Sequence, residues 1–246
     1  MPGTAQLTSL VNAAGAAAAA GHWQEAERLW SRVHALDPAH VQALFSLGVH
    51  AFQRSDMPAA MAYLEQAHQH EPRDPMIVLT MGRVHREAGR PEQEWDTILA
   101  ALALDPYFLP GLLGKAEFLE RQGRRRSAAA AFRDALKVAP AEPDWPAALR
   151  RRLAHAREVV RHDTQELVEF LGQRVSARRA TIDQAHSARW DEAVSILAGR
   201  TAPYHSHCNQ LQVPRLPAIT FYDDALFPWM RELESRTDAI KDELQR

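Results

Sequence analysis

Residues 41–74 read VQALFSLGVHAFQRSDMPAAMAYLEQAHQHEPRD. Apolar residues recur every three or four positions on both sides of a polar break at Ser55, which predicts two amphipathic helices joined by a tight turn. Pro72 ends the second helix, because its ring carries no N–H to continue the hydrogen-bond ladder. The stretch therefore predicts one helix-turn-helix unit of 34 residues.

The unit recurs along the chain at a constant interval. Four prolines stand 34 residues apart, at Pro38, Pro72, Pro106 and Pro140. The same spacing divides the chain into repeats at 7–40, 41–74, 75–108 and 109–142. Paired helices that recur at this period stack into a solenoid, so we predict an all-α solenoid of four repeats.

Two positions of each unit carry small residues for different reasons. Close crossing of the two helices demands a small side chain in the middle of the first helix. The four residues there are Ala14, Gly48, Gly82 and Ala116. The turn demands a residue that tolerates a left-handed backbone, and glycine does so at least cost. The four turn residues are Gly21, Ser55, Gly89 and Gly123.

The third repeat departs from this pattern in its second helix. It carries Glu94 where the other repeats carry Ala26, Ala60 and Ala128. A long charged side chain at this position predicts looser packing of the second helix, with Trp95 turned inward instead.

The period and its small and apolar positions resemble the tetratricopeptide repeat family over residues 7–142. The second repeat carries the resemblance best, through Leu44, Leu47, Gly48, Ala60, Leu64, Ala67 and Pro72. The first repeat matches least well, because its opening helix is almost entirely alanine. The resemblance implies a solenoid that binds a polypeptide or protein partner in its concave groove.

In this repeat fold the first helix of each unit lines the concave surface. The residues at its inward positions are Val11, Gln42, Phe45, Val49, Phe52, Met76, Leu79, Arg83, Arg86, Glu117, Glu120 and Arg121. Phe45, Val49 and Phe52 would anchor an apolar side chain, while Arg83 and Arg86 would pair with a carboxylate on an extended peptide. The alternative is that the two phenylalanines pack against neighbouring repeats or against the C-terminal segment of the chain.

Members of the family that bind chaperone tails use lysine and asparagine at set positions of the first helices. Those positions hold Val11, Gly15, Ser46, Met76 and Thr80 here, so that partner is not predicted. No paired carboxylates, phosphate-binding loop or nucleophile elbow is recognisable, and we assign no catalytic residue. His205, His207 and Cys208 form a dense set of soft ligands, but structural zinc normally needs a fourth ligand at defined spacing. We therefore interpret this segment as a polar loop and predict no metal site.

Composition excludes several classes of partner. The 246-residue chain has a net charge of −2, so no overall charge draws it to nucleic acid or membrane. Arginines cluster at 124–126, 150–152 and 178–179, but no aromatic residues interleave with them, which favours solvated helix faces over a nucleic-acid site. No apolar run reaches the length of about 18 residues that predicts a membrane span. The single cysteine, Cys208, favours a reducing compartment and predicts a cytoplasmic protein.

Helical patterning continues after the fourth repeat. Apolar residues from Trp145 to Val160 predict a capping helix, and those from Thr164 to Leu171 a further one. A third helix is predicted from Trp190 to Leu197, ending near Gly199. We therefore interpret 143–200 as a helical extension that covers the last repeat, and the proline-rich stretch after it as a linker or an extended arm.

The last thirty or so residues resemble the segment that leads into the catalytic domain of the aspartyl/asparaginyl β-hydroxylase family. The motifs are Leu216-Pro217, Phe221-Tyr222-Asp223, Phe227-Pro228-Trp229, Leu233-Glu234, and Ile240 with Glu243-Leu244. That family places helical repeats before a β-helix barrel that uses Fe(II) and 2-oxoglutarate. The resemblance implies that residues 201–246 are a linker and the start of a truncated oxygenase domain, with no cofactor bound by this chain.

Two interpretations of the whole chain therefore remain open. In the first, the chain is a non-catalytic interaction module that presents a polypeptide to a missing dioxygenase domain. In the second, the intact protein continues past Arg246 and is an Fe(II)- and 2-oxoglutarate-dependent peptidyl Asp/Asn β-hydroxylase. A free-standing adaptor whose C-terminal arm occupies the groove is a third arrangement.

Overall fold

The computed structural model describes residues 2–141, 146–176, 184–203 and 224–244. Within these ranges all regular structure is helical, which confirms the predicted all-α class. The helices of the four repeats are α1 (Pro2–Ala19), α2 (Trp23–Leu36), α3 (Val41–Gln53), α4 (Met57–His70), α5 (Pro75–Glu87), α6 (Pro91–Leu104), α7 (Leu109–Arg121) and α8 (Arg125–Val138). Each odd-numbered helix pairs with the next even-numbered one, and the second helix of each repeat contacts the first helix of the following repeat.

The predicted turn residues all adopt the left-handed backbone conformation. Gly21, Gly89 and Gly123 have φ angles of 76°, 69° and 71°. Ser55 has a φ angle of 64°, so the serine takes the same geometry despite its side chain. The four prolines each lie two residues beyond the end of a second helix, as their missing N–H requires.

The predicted close crossing of paired helices is present. A Cβ atom added to Gly48 would lie 2.9 Å from Cγ of Leu64, and one added to Gly82 would lie 2.5 Å from Oγ1 of Thr97. Both distances are too short for an alanine unless the facing side chain, or the helix that carries it, moves. Ala14, at the same position of the first repeat, is fully buried.

The prediction of looser packing in the third repeat is wrong. Glu94 is itself buried, and its carboxylate forms an ion pair with Arg121 of the next repeat. The pairing explains the result, because a buried carboxylate is tolerated when a guanidinium satisfies it. Trp95 is partly buried as well, with its ring centroid 4.9 Å from that of Phe118.

The extension after the repeats forms α9 (Ala147–Ser176) and α10 (Gln184–Leu197). The two helices predicted before residue 172 are one continuous helix of 30 residues, which corrects the prediction of a break near 160. Leu153 and Ala156 of α9 are fully buried against Phe132 and Ala135 of α8, so α9 covers the last repeat. Gly199 follows α10 with a φ angle of 69°, as expected for a helix end.

The chain divides into two units, Met1–Ala202 and Pro203–Arg246. The described part of the second unit contains a 3-10 turn at Asp224–Leu226 and the short helices α11 (Met230–Ser235) and α12 (Thr237–Leu244). Its side chains at Leu226, Trp229 and Leu233 are largely exposed. Among the described residues, no helix combines the length and apolarity that crossing a bilayer requires.

Candidate protein-binding surface

The first helices of the second, third and fourth repeats form one continuous face. Helix α3 contacts α5, and α5 contacts α7, so side chains of successive first helices become neighbours although about 34 residues separate them. We call this the inner face, defined by the twelve residues predicted from the sequence to line the groove. Its residues fall into an apolar part on α1 and α3 and a largely charged part on α5 and α7.

The apolar part of the inner face is shared with the core. Phe45 and Phe52 are partly buried and pack on the cluster that contains Leu64 and Val84. Val11 packs in the same way on the cluster of the first repeat. The two phenylalanines therefore join the second repeat to the third, as the alternative interpretation expected, and present only part of their surface.

Three other residues of the predicted groove are available at the surface. Gln42 is exposed, and Val49 and Met76 are partly exposed without belonging to the apolar clusters. Leu79 is different, because it is only 4% exposed and packs with Ile98 in the core. It forms the floor beneath the inner face.

The charged part of the inner face is tied together by two ion pairs and a histidine–carboxylate contact between helices. Nε of Arg152 on α9 donates to Oε1 of Glu117 at 2.6 Å. Nε2 of His155, also on α9, lies 2.9 Å from Oε2 of Glu120. Arg121 pairs with the buried Glu94 of α6. Two acidic residues and one basic residue of the predicted groove therefore already have partners within the chain.

Arg83 and Arg86 are exposed and have no such cross-helix partner in the described part of the chain. Nε of Arg86 lies 4.0 Å from Oε1 of its neighbour Glu87, and Arg83 has no ion pair within the described residues. Partial burial lowers the pKa of Arg83, and the charge of Arg152 lowers it further, while Glu117 acts in the opposite direction. The Arg83 guanidinium thus sits in a locally positive environment.

Arg152, His155 and Glu94 also belong to this surface, although the sequence did not predict them there. The cluster at 150–152 was interpreted as a solvated helix face, although Arg152 is only 30% exposed at its side chain. The available signal was spacing, because Glu117–Arg152 and Glu120–His155 are both 35 residues apart, close to one repeat. Extending the period into α9 would have found Arg152 and His155, but not Glu94, which lies on α6.

The other sequence predictions about sites fall on residues outside this surface. His205, His207 and Cys208 lie outside the described residues, as do the motifs from Leu216 to Asp223. Within the described ranges, no group of three or more histidine, cysteine, aspartate or glutamate side chains is arranged to hold a metal ion.

These features define the fold: an all-α solenoid of the tetratricopeptide-repeat type, with a partly apolar, partly basic inner face. Residues 11–75 match the tetratricopeptide repeat family. A mutant O-GlcNAc transferase from Thermobaculum terrenum is similar in structure, with a TM-score of 0.53 and 22% identity over 56% of this chain and 27% of that one. The Cut9–Hcn1 hetero-tetramer of the APC/C is similar with a TM-score of 0.55 and 16% identity, over 78% of this chain and 36% of that one.

At these identities the similarity shows the fold alone. This chain spans about a quarter to a third of the length of the two solved chains. Comparison with curated proteins gives no match.

Proposed function

We propose that this chain is a protein-interaction module that holds an extended segment of a partner polypeptide along its inner face. Tetratricopeptide repeats are generally protein–protein interaction modules, and part of this chain matches that family. The observation that carries the finer proposal is one face that offers partly exposed apolar side chains on α3 beside exposed arginines on α5. Apolar anchors flanked by charged groups are the usual composition of a peptide-binding surface.

Val49 gives the sharpest test of this proposal. It is partly exposed and lies outside the apolar clusters, so its replacement changes the surface with little effect on folding. Short peptides are first selected on the full chain from a random display library, and their affinity is then measured by fluorescence anisotropy. Val49→Glu is expected to weaken binding about tenfold, because it places a charge where an apolar side chain docks.

Ala62→Glu is the matched control. Ala62 is exposed on α4, the second helix of its repeat, so the substitution places the same negative charge away from the inner face. It is expected to leave the affinity unchanged. Equal loss in both variants, or no loss in either, would contradict binding at the inner face.

We further propose that the chain is the repeat region of an aspartyl/asparaginyl β-hydroxylase-like protein. Its support is the sequence resemblance of the C-terminal segment, of which Phe227 and Trp229 lie among the described residues. On this proposal Fe(II) and 2-oxoglutarate belong to a barrel beyond Arg246, and no residue of this chain is assigned to either. A reading frame that continues past Arg246 with two well-spaced histidines supports the hydroxylase, and a stop codon there contradicts it.

The proposed compartment is the cytoplasm, because the single Cys208 suits reducing conditions. Fractionation of cells that express the tagged chain tests this directly. Recovery in an oxidising compartment would overturn it. Nucleic acid is not a proposed partner, since the net charge is −2.

A further inference from the structure

One position of the second helix marks each junction between a repeat and the helix that follows it. The residues at this position are 34 apart along the chain, and they are Glu27, Met61, Trp95 and Ala129. The first three have long side chains, whereas Ala129 ends at a methyl group. The fourth junction therefore differs from the other three in the size of one side chain.

At the first three junctions this side chain reaches the next first helix. Glu27 forms an ion pair with Arg54 at the end of α3. Met61 packs on an apolar cluster to which α5 contributes. The ring centroid of Trp95 lies 4.9 Å from that of Phe118 on α7. Each junction is thus filled from within the chain.

At the fourth junction a groove opens between α8 and α9. Its volume is about 540 Å³. Ala128 and Ala129 form its buried apolar floor, and Val159, which is partly exposed, forms one apolar wall. Helix α9 supplies that wall because it continues for 30 residues, whereas α7 ends in a turn after 13. The groove lies apart from the inner face, with which its described lining shares Glu120 alone.

Acidic side chains outnumber basic ones around this groove. Four carboxylates line it together with one guanidinium, that of Arg125. Two of these carboxylates are neutralised by arginines of the chain. Glu158 pairs with Arg161 at 2.6 Å, and Asp163 pairs with Arg133 at 3.1 Å.

The other two carboxylates have only imidazoles as partners among the described residues. Oε2 of Glu120 lies 2.9 Å from Nε2 of His155, and Oε1 of Glu166 lies 3.5 Å from Nδ1 of His162. With histidine counted as neutral at pH 7, these contacts leave both negative charges in place. The groove therefore complements an occupant that is apolar at its centre and cationic at its edges.

We propose that this groove is a second protein-docking site, which accepts a large apolar side chain flanked by basic residues of a partner polypeptide. The apolar side chain rests on Val159 and the alanine floor, at the one junction that has no equivalent of Met61 or Trp95. Lysine or arginine on either side of it pairs with Glu120 and Glu166. This site goes beyond the proposed function, because it does not depend on binding at the inner face.

The test titrates a peptide into the full chain with isotope-labelled alanine and valine methyl groups, at constant ionic strength. The peptide is acetylated and amidated, with tryptophan between two lysines and an alanine at each end. It should shift the methyl resonances of Ala128, Ala129 and Val159 saturably. Absence of a saturable shift up to about 10 mM peptide, which is enough to detect a very weak complex, would overturn the proposal.

Two companion peptides test the chemistry of the occupant. In one, glutamates replace both lysines, and in the other, alanine replaces the tryptophan. Each should bind about tenfold more weakly than the parent peptide. Equal binding of the glutamate peptide would contradict the role of charge, and equal binding of the alanine peptide would contradict the docking of a large side chain.

Ala129→Met tests the site from the side of the protein. It supplies the residue that the second repeat carries at this position, so the groove is filled and the parent peptide should bind about tenfold more weakly. Ala130→Met adds the same side chain at the next, exposed position of α8 and should leave the affinity unchanged. Thermal denaturation establishes that both variants are folded. Equal affinities of the two folded variants would contradict docking in the groove.

Glu166→Lys tests the same site without a change in its buried floor. The side chain of Glu166 is 59% exposed, so its replacement has little effect on folding, and the parent peptide should bind about fivefold more weakly. Glu65→Lys makes the same change of charge at an exposed position of α4 and should alter the affinity little. Equal weakening by both variants would indicate a general effect of net charge and would contradict a defined site.

A last measurement distinguishes other occupants of the groove. A nitroxide label is attached to Cys208, the single cysteine, and relaxation enhancement at the methyl groups of Ala129 and Val159 is measured without peptide. No enhancement is expected. Enhancement at all protein concentrations would assign the groove to the chain's own C-terminal residues, and enhancement that grows with concentration would assign it to a second copy. Either result would overturn the proposal.

Discussion

The two halves of the inner face are built on different principles. On α3 the large side chains are apolar, and part of the surface of Phe45 and Phe52 is buried in contacts between the second and third repeats. On α5 and α7 the side chains are charged, and ion pairs from α6 and α9 hold several of them in place. The apolar half therefore contributes to stability and, on the proposed function, to binding as well, whereas the exposed arginines are free to serve binding alone.

Replacement of a phenylalanine should therefore have the largest effect on stability. Phe52→Ala is expected to lower the free energy of unfolding by about 2 kcal/mol, less than for a fully buried phenylalanine because part of the ring is exposed. Urea denaturation followed by circular dichroism measures the change. The matched variant in the charged half, Arg83→Met, should change the free energy of unfolding by less than about 0.5 kcal/mol.

If both variants lost similar free energies of unfolding, the two halves would not differ in their contribution to stability. An unchanged stability of Phe52→Ala would also contradict this difference, since it would show that the ring does not join the repeats.

The next effect concerns the ion pair of the charged half. Arg121→Met leaves the carboxylate of Glu94 buried without its partner, and we expect a loss of about 1 kcal/mol in the free energy of unfolding. The loss is smaller than for a fully buried pair because the side chain of Arg121 is 34% exposed. Urea denaturation again gives the value.

The double variant Glu94→Ala with Arg121→Met tests whether the unpaired carboxylate of Glu94 causes this loss. Alanine is the residue that the other repeats carry at the position of Glu94, so the double variant should recover most of the lost stability. A double variant that is less stable than Arg121→Met would contradict the account of a tolerated carboxylate.

A pH effect is expected from α3, the helix that carries the apolar half. His50 on α3 is 6% exposed against the ring of Trp23, and burial lowers its pKa below the ordinary 6.5. Of the charges nearby, Glu27 raises this pKa and Arg54 lowers it. The unfolded chain then binds more protons than the folded chain just below that pH, so the free energy of unfolding should fall as the solution is acidified.

Denaturation at a series of values between about pH 8 and about pH 5 measures this slope. His50→Gln should reduce the slope without abolishing it, because burial also lowers the pKa of His85. An unchanged slope would show that His50 is not buried as the neutral imidazole.

The smallest effect lies at the turn of the second repeat. Ser55 adopts a φ angle of 64° where the other three repeats use glycine. Ser55→Gly should raise the free energy of unfolding by about 0.5 kcal/mol. The substitution relieves the backbone strain at this turn, but glycine has more conformational freedom in the unfolded chain, which offsets part of the gain. A thermal denaturation scan is sensitive enough to detect the rise, and a fall would contradict the strained geometry.

The sequence predicted the fold well because its rules are local and repeated. Proline and glycine act through their own backbone chemistry, so the ends of the helices and the turns followed directly from Pro72 or Gly89. Ser55 also followed, since its place in the period outweighed its own preference. The break predicted within α9 failed, because apolar spacing alone does not show whether two helical segments are continuous.

The inner face was predictable only in part. Position in the repeat identified Phe45 and Arg83, but not how each divides its surface between core and solvent. The ion pairs with Glu94 and Arg152 depend on side-chain reach between different helices, which no local pattern records. The net charge of the chain is only −2, so composition gave no indication that arginines outnumber carboxylates in the charged half of the inner face.

On the proposed function, a polypeptide lies along the first helices of the repeats. This can be measured with a display-selected peptide that carries a nitroxide spin label, through the relaxation enhancement of backbone amides in the isotope-labelled full chain. We predict the strongest enhancement in α3, α5 and α7, around Val49 and Arg83. Enhancement centred on the second helices α4, α6 and α8 would contradict the claim.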